Sequence, residues 1–162
     1  MALILLNSYL AALTINTLFA LGEEIGWRGY LQVELEERGL GAVRAALVVG
    51  LVWGLWHASG IILLGHNYPE NRLLGAALFI AFTASLSLPH ADVRRSSSSV
   101  LPAASLHGTI NAVWGLTILV TTLQRELGGL GPAGIAAWAV TSAITHIALL
   151  RAKPQQAEPS TS

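Results

Sequence analysis

The sequence predicts an all-α, polytopic membrane protein with about five transmembrane helices around a buried polar site. Three observations lead there. Only 11% of the 162 residues are charged and 53% are hydrophobic, against about 25% charged in an ordinary soluble domain. Apolar stretches recur at about 2–22, 41–65, 73–88, 100–123 and 130–150. A helix of ~20 such residues crosses a ~30 Å hydrocarbon core. Polar clusters interrupt these stretches: Glu23-Glu24-Ile25-Gly26-Trp27-Arg28, Trp53-Gly54-Leu55-Trp56-His57 and His107-Gly108-Thr109-Ile110-Asn111. An ionisable group at mid-bilayer costs about 2.5–3.5 kcal/mol on insertion scales, so these groups need a shared explanation.

The first stretch, Met1 to Gly22, carries no charge. A secretory signal would open with Lys or Arg, so a retained helix is expected. Its start in mid-apolar sequence suggests a short family version or helices missing upstream. If this helix stopped at Gly22, Glu23 would sit at the membrane surface, some ~20 Å from the depth of His57 at 1.5 Å per residue. Continuation through Trp27, Tyr30 and Val33 to about Glu36 brings the depths together. The helix is then expected to begin, tilt or break before residue 12.

The second stretch carries His57 and the fourth carries His107 and Asn111. The third, 73–88, is the shortest and the weakest span. After it, Pro89, Arg94, Arg95 and four serines read as a mobile loop over 89–99. The connection 124–129 ends in Gly128-Gly129, and the tail from Ala152 is rich in Pro, Gln and Ser. This gives a transmembrane domain over 1–151, with its motif-bearing core at about 20–115, and a disordered cytoplasmic tail over 152–162. A closed barrel would need apolar–polar alternation with a turn about every ten residues, and that pattern is absent. Five crossings put Arg28, Arg38, Arg44, Arg94, Arg95, Arg151 and Lys153 on the side of the C-terminus, and only Arg72 and Arg125 on the other. That bias places the N-terminus outside and the C-terminus in the cytoplasm.

Composition also excludes functions. Nine basic and nine acidic residues cancel, and no basic block offers a nucleic-acid surface. The absence of cysteine removes disulfides, thiolate metal sites and a Cys nucleophile.

Glu23 and Glu24 point about 100° apart on a helix. Arg28, four residues after Glu24, gives that carboxylate an ion-pair partner on its own face. Glu23 is left to face something else, as a general base would. His57 has Trp53 four residues earlier, where an indole can pack against the ring and orient it. His107 and Asn111 share a face. His146 is expected to be a packing group, and His66 and His90 solvated loop residues. Two chemistries fit. Glu23 and His57 can deprotonate a water while His107 and Asn111 donate to an oxyanion. Alternatively, Glu23, His57 and His107 can ligate a divalent metal such as zinc. The His-Glu-x-x-His and Gly-x-Ser-x-Gly motifs are both absent.

The ordered series Glu-Glu-x-x-x-Arg, aromatic-x-x-x-His and His-x-x-x-Asn resembles the CAAX-processing and bacteriocin-processing family of intramembrane proteases. Glu23 to Leu31 and Trp53 to His57 look like its prokaryotic branch. The resemblance implies a prokaryotic plasma-membrane endopeptidase acting on a peptide or protein substrate. It puts water activation on Glu23 and His57, oxyanion stabilisation on His107 and Asn111, and supporting roles on Glu24 and Arg28. The family often has Phe at the position of Trp53, a change expected to matter little. The Pro- and Ser-containing stretch 85–99 departs from the pattern, where a helix running into a short turn would be expected. The family fold usually has more than five helices. Two other functions use the same groups: a non-catalytic bacteriocin immunity or scaffold protein, and a small proton or ion pathway. The pathway needs titratable groups reaching both faces, and the outer half offers few.

Overall fold

A computed structural model describes residues 2–120 and 129–152, without the side chains of 117–120. It contains five long helices: α1 (Ala2–Glu37), α2 (Ala42–Leu64), α3 (Arg72–Ser97), α4 (Leu101–Val120) and α5 (Pro132–Ala152). Among the described residues there is no strand. Helices α1, α2, α3 and α5 are long and apolar enough to cross a membrane. The shortest predicted span, 73–88, belongs to one of them, α3.

Helix α1 runs for 36 residues, about 54 Å at 1.5 Å per residue. It continues past Glu23 and Glu24 to Glu37, with π-helical turns at Ala12–Asn16 and Ile25–Leu31. It begins at Ala2, and its first irregularity is the turn from Ala12. In that turn the Thr17 hydroxyl donates to the Ala12 carbonyl, five residues back, at 2.6 Å.

Small residues set the helix spacing. Gly50 and Gly54, one turn apart on α2, lie directly against the α3 backbone. A Cβ at Gly50 would meet Ala84 Cα at 2.6 Å, and one at Gly54 would meet Ile80 Cα at 2.6 Å. Packing between lipid-embedded helices gains from such backbone approach, because hydrophobic exclusion from water is unavailable there. Gly108 does the same on α4, where a Cβ would lie 2.6 Å from the Thr17 nitrogen of α1. That contact brings the neighbouring His107 to α1.

The stretch 89–99 corrects the sequence reading. Helix α3 passes through Pro89 and ends at Ser97, leaving only Ser98, at φ 52°, Ser99 and Val100 before α4. Proline has no N–H for the carbonyl four residues back, which normally breaks a helix. Here that carbonyl, on Ser85, accepts the Ser142 hydroxyl of α5 at 2.6 Å. A neighbouring helix supplies the missing donor, as happens within membranes. The continuation also overturns the reading of His90, which is fully buried in the core rather than solvated.

Helix α5 packs mainly on α3. Trp138, Ser142 and His146 recur every four residues and share one face. His146 is not a simple packing group, because its Nδ1 donates to Asp92 of α3 at 3.0 Å. Arg95 also pairs with Asp92. Of the tail, only Ala152 is described, as the last helical residue. Residues 153–162, and most of the connection 124–129, lie outside the described residues.

Candidate active site

Glu23 and Glu24 sit side by side where α1 enters its second π-helical turn, and they meet different partners. Glu24 is fully buried, and its Oε1 accepts from Arg28 Nη1 at 2.8 Å and from His107 Nδ1 at 3.0 Å. Arg28, also fully buried, donates from Nη2 to Ser87 Oγ at 2.9 Å and lies 4.7 Å from the Trp53 ring centroid. Two charges taken from water need this density of partners, because desolvation can exceed the attraction between them.

Glu23 forms no direct salt bridge among the described residues. Its Oε2 accepts from Trp53 Nε1 at 2.8 Å and from Trp27 Nε1 at 3.5 Å. The Trp53 side chain thus holds the carboxylate on α1, a contact that Phe cannot make. Trp in place of the family's usual Phe therefore adds a hydrogen bond to the aromatic packing. His57 is oriented instead by the Trp53 backbone, with Nδ1 3.1 Å from its carbonyl. A carbonyl only accepts, so Nδ1 carries the proton and Nε2 is the acceptor of the neutral ring. Phe79 and Trp56 pack on the same ring, with centroids 4.9 and 4.7 Å away.

Glu23, Trp53, His57, His107 and Asn111 all line one cavity of about 390 Å³. They come from α1, α2 and α4. Trp53 stands between them, its ring 6.1 Å from that of His57 and 4.9 Å from that of His107. His66, just beyond α2, lines the same cavity from an exposed position. No three His, Cys, Asp or Glu side chains among the described residues are placed to hold one metal ion.

A family model described as type II CAAX prenyl endopeptidase Rce1-like matches residues 5–113. The chain belongs to the Rce1-like family. No curated protein and no solved structure matches it. The Rce1-like segment covers α1 to α3 and the part of α4 that ends just past Asn111, and it leaves α5 outside. Family membership and the apolar helices together make this an integral membrane protein.

Sequence reasoning missed two parts of the polar interior. His90 packs its ring 5.9 Å from Trp53 and 6.0 Å from His107. Its signal was its place eight residues after Phe82, on the apolar face of α3, masked by Pro89. The Asp92–His146 pair was also missed. Its signal was Ser142, one turn before His146, which marks a polar stripe on α5.

Proposed function

We propose that the protein is an intramembrane endopeptidase that hydrolyses peptide bonds with a side-chain-activated water. The observation that carries this reading is the convergence of Glu23, His57, His107 and Asn111 from three helices on one cavity. The indoles hold Glu23 through Oε2, so Oε1 is the oxygen we assign to the water. His57 offers the lone pair of Nε2, since Nδ1 is committed to the Trp53 carbonyl. The two groups withdraw a proton as the water attacks the amide carbon. Asn111 offers a carboxamide N–H to the oxyanion. His107, with Nδ1 committed to Glu24, can donate from Nε2 only as the doubly protonated ring. Glu24, Arg28 and Trp53 support these groups.

Peptide or bacteriocin processing in a prokaryotic plasma membrane is the setting we favour, with the N-terminus outside and the C-terminus in the cytoplasm. Arg28 is buried in the helix core and leaves the positive-inside count. The remaining basic residues keep the same bias.

The test is cleavage of a quenched peptide library by the protein in detergent, comparing wild type with Glu23→Gln and His57→Ala. Each variant is expected to lose about 10²–10⁴-fold in rate. Wild-type rates retained by both variants would refute the assignment. Bacteriocin protection that survived both substitutions would support a non-catalytic immunity protein instead.

A further inference from the structure

We propose that His90 of α3 is a positioning residue of the reaction centre, and that it works through one trapped water molecule shared with Glu24 and Arg28. The effect on hydrolysis rests on the endopeptidase reading, whereas the water site does not.

Three fully buried side chains each keep one polar atom without a hydrogen-bond partner among the described residues: Glu24 Oε2, Arg28 Nε and His90 Nε2. Their polarities differ. The oxygen of the ionised Glu24 can only accept, and the Arg28 nitrogen can only donate. His90 Nδ1 lies 2.8 Å from the Leu86 carbonyl, so it carries the proton and Nε2 presents a lone pair. Two acceptors therefore stand against one donor. A water molecule supplies what is missing, because it can donate to both acceptors while it accepts from Arg28. About three bonds to otherwise unpaired groups is the usual complement of a buried water. A metal ion would satisfy the two acceptors but would lie against the Arg28 guanidinium.

These groups are neighbours. Arg28 Nη1 is 2.8 Å from Glu24 Oε1, and Arg28 Nη2 donates to Ser87 Oγ at 2.9 Å. Ser87 precedes His90 by three residues on α3 and shares its face. The His90 ring stands 6.0 Å from that of His107, which meets Glu24 at 3.0 Å. It stands 5.9 Å from that of Trp53, which Arg28 covers. The consequence falls on His107. With Oε2 held by the water, the Glu24 carboxylate keeps Oε1 on His107 Nδ1, and the ring stays aimed at the oxyanion. Without that hold the carboxylate can turn and the ring loses its brace. His90 is not among the described walls of the cavity, so it acts on turnover rather than on substrate binding.

The experiment uses the full chain in detergent. His90→Phe keeps a flat ring without nitrogen, and His90→Gln returns a carboxamide near the position of Nε2. His90→Phe is expected to lower kcat on the quenched peptide library about tenfold, the size of one hydrogen bond to a charged group, with KM within about twofold. His90→Gln is expected to recover most of that loss. Nitrogen NMR of the histidine-labelled wild type, with the His90 signals assigned by their loss in His90→Gln, is expected to show an unprotonated Nε2 that accepts a hydrogen bond. A nuclear Overhauser contact between that ring and a bound water is expected with it. Equal kcat losses in both variants would make His90 a packing ring and overturn the proposal, as would an unchanged kcat in His90→Phe. So would a protonated Nε2, which would bond Glu24 directly, or an Nε2 with no hydrogen bond. A wild type that cleaves nothing would defeat the endopeptidase reading instead. The NMR signals and the unfolding temperatures would then still decide the water site. Removing an unpaired buried acceptor relieves its desolvation cost, so a rise in unfolding temperature for His90→Phe would count against the water.

Discussion

Glu24 with His107, and Asp92 with His146, are the same device used at two places. In each, a buried carboxylate on one helix accepts Nδ1 of a histidine on another at 3.0 Å, with an arginine on the carboxylate's own helix as second partner. Their surroundings differ. Arg28 and Glu24 are wholly buried, and His107 opens on the reaction cavity. Arg95 is 34% exposed, His146 is 15% exposed, and the small recess beside them holds Ser96, Leu149 and Leu150. The first pair ties α1 to α4 and carries a catalytic histidine in our reading. The second ties α5 to α3. Geometry alone does not distinguish a working dyad from a fastening; the space in front of the free ring nitrogen does.

Four substitutions test that contrast. The largest effect is expected from Arg28→Ala, which leaves Glu24 charged and buried. Breaking such a pair costs about 3–5 kcal/mol, seen as a large fall in thermal unfolding temperature in detergent. A small fall would mean that the first pair is no more demanding than the second. Next comes Trp53→Phe. It keeps the packing but removes the donor to Glu23, and a hydrogen bond to a charged group is worth about 1.5–3 kcal/mol. A loss of at least about tenfold in kcat is expected, with a fall in unfolding temperature smaller than that of Arg28→Ala. An unaltered kcat would show that the indole does not position the base. His146→Ala should cost about 1–2 kcal/mol of stability by leaving Asp92 with Arg95 alone. Its kcat on the quenched peptide library should change far less than that of His107→Ala, and equal losses would erase the distinction between the pairs. Ser142→Ala is the mildest, at about 1 kcal/mol, read by hydrogen exchange in α3 around Pro89.

Much of this arrangement was legible in the sequence. The five apolar stretches map onto five helices, and the requirement that Glu23 reach the depth of His57 correctly demanded that α1 run on to about Glu36. The i,i+4 spacing of Glu24 and Arg28 is a local signal, and that contact is present. What could not be read depends on contacts between distant segments. Pro89 and the serines look like a loop until Ser142 supplies the donor for Ser85. His90 looks solvated until α3 is known to continue. The link from Trp53 to Glu23 spans 30 residues and has no periodicity to announce it. Local pattern speaks to single helices, whereas the polar groups inside a bilayer are satisfied across them.

The Ser142–Ser85 contact has a consequence for biogenesis. Helices of a membrane protein emerge from the ribosome in order, and the third is complete in length well before the fifth exists. During that interval the carbonyl opposite Pro89 lacks its donor, so the third helix is free to bend there. Once the fifth helix arrives, its Ser142 hydroxyl supplies that donor and ties the two helices together at the turn before the proline.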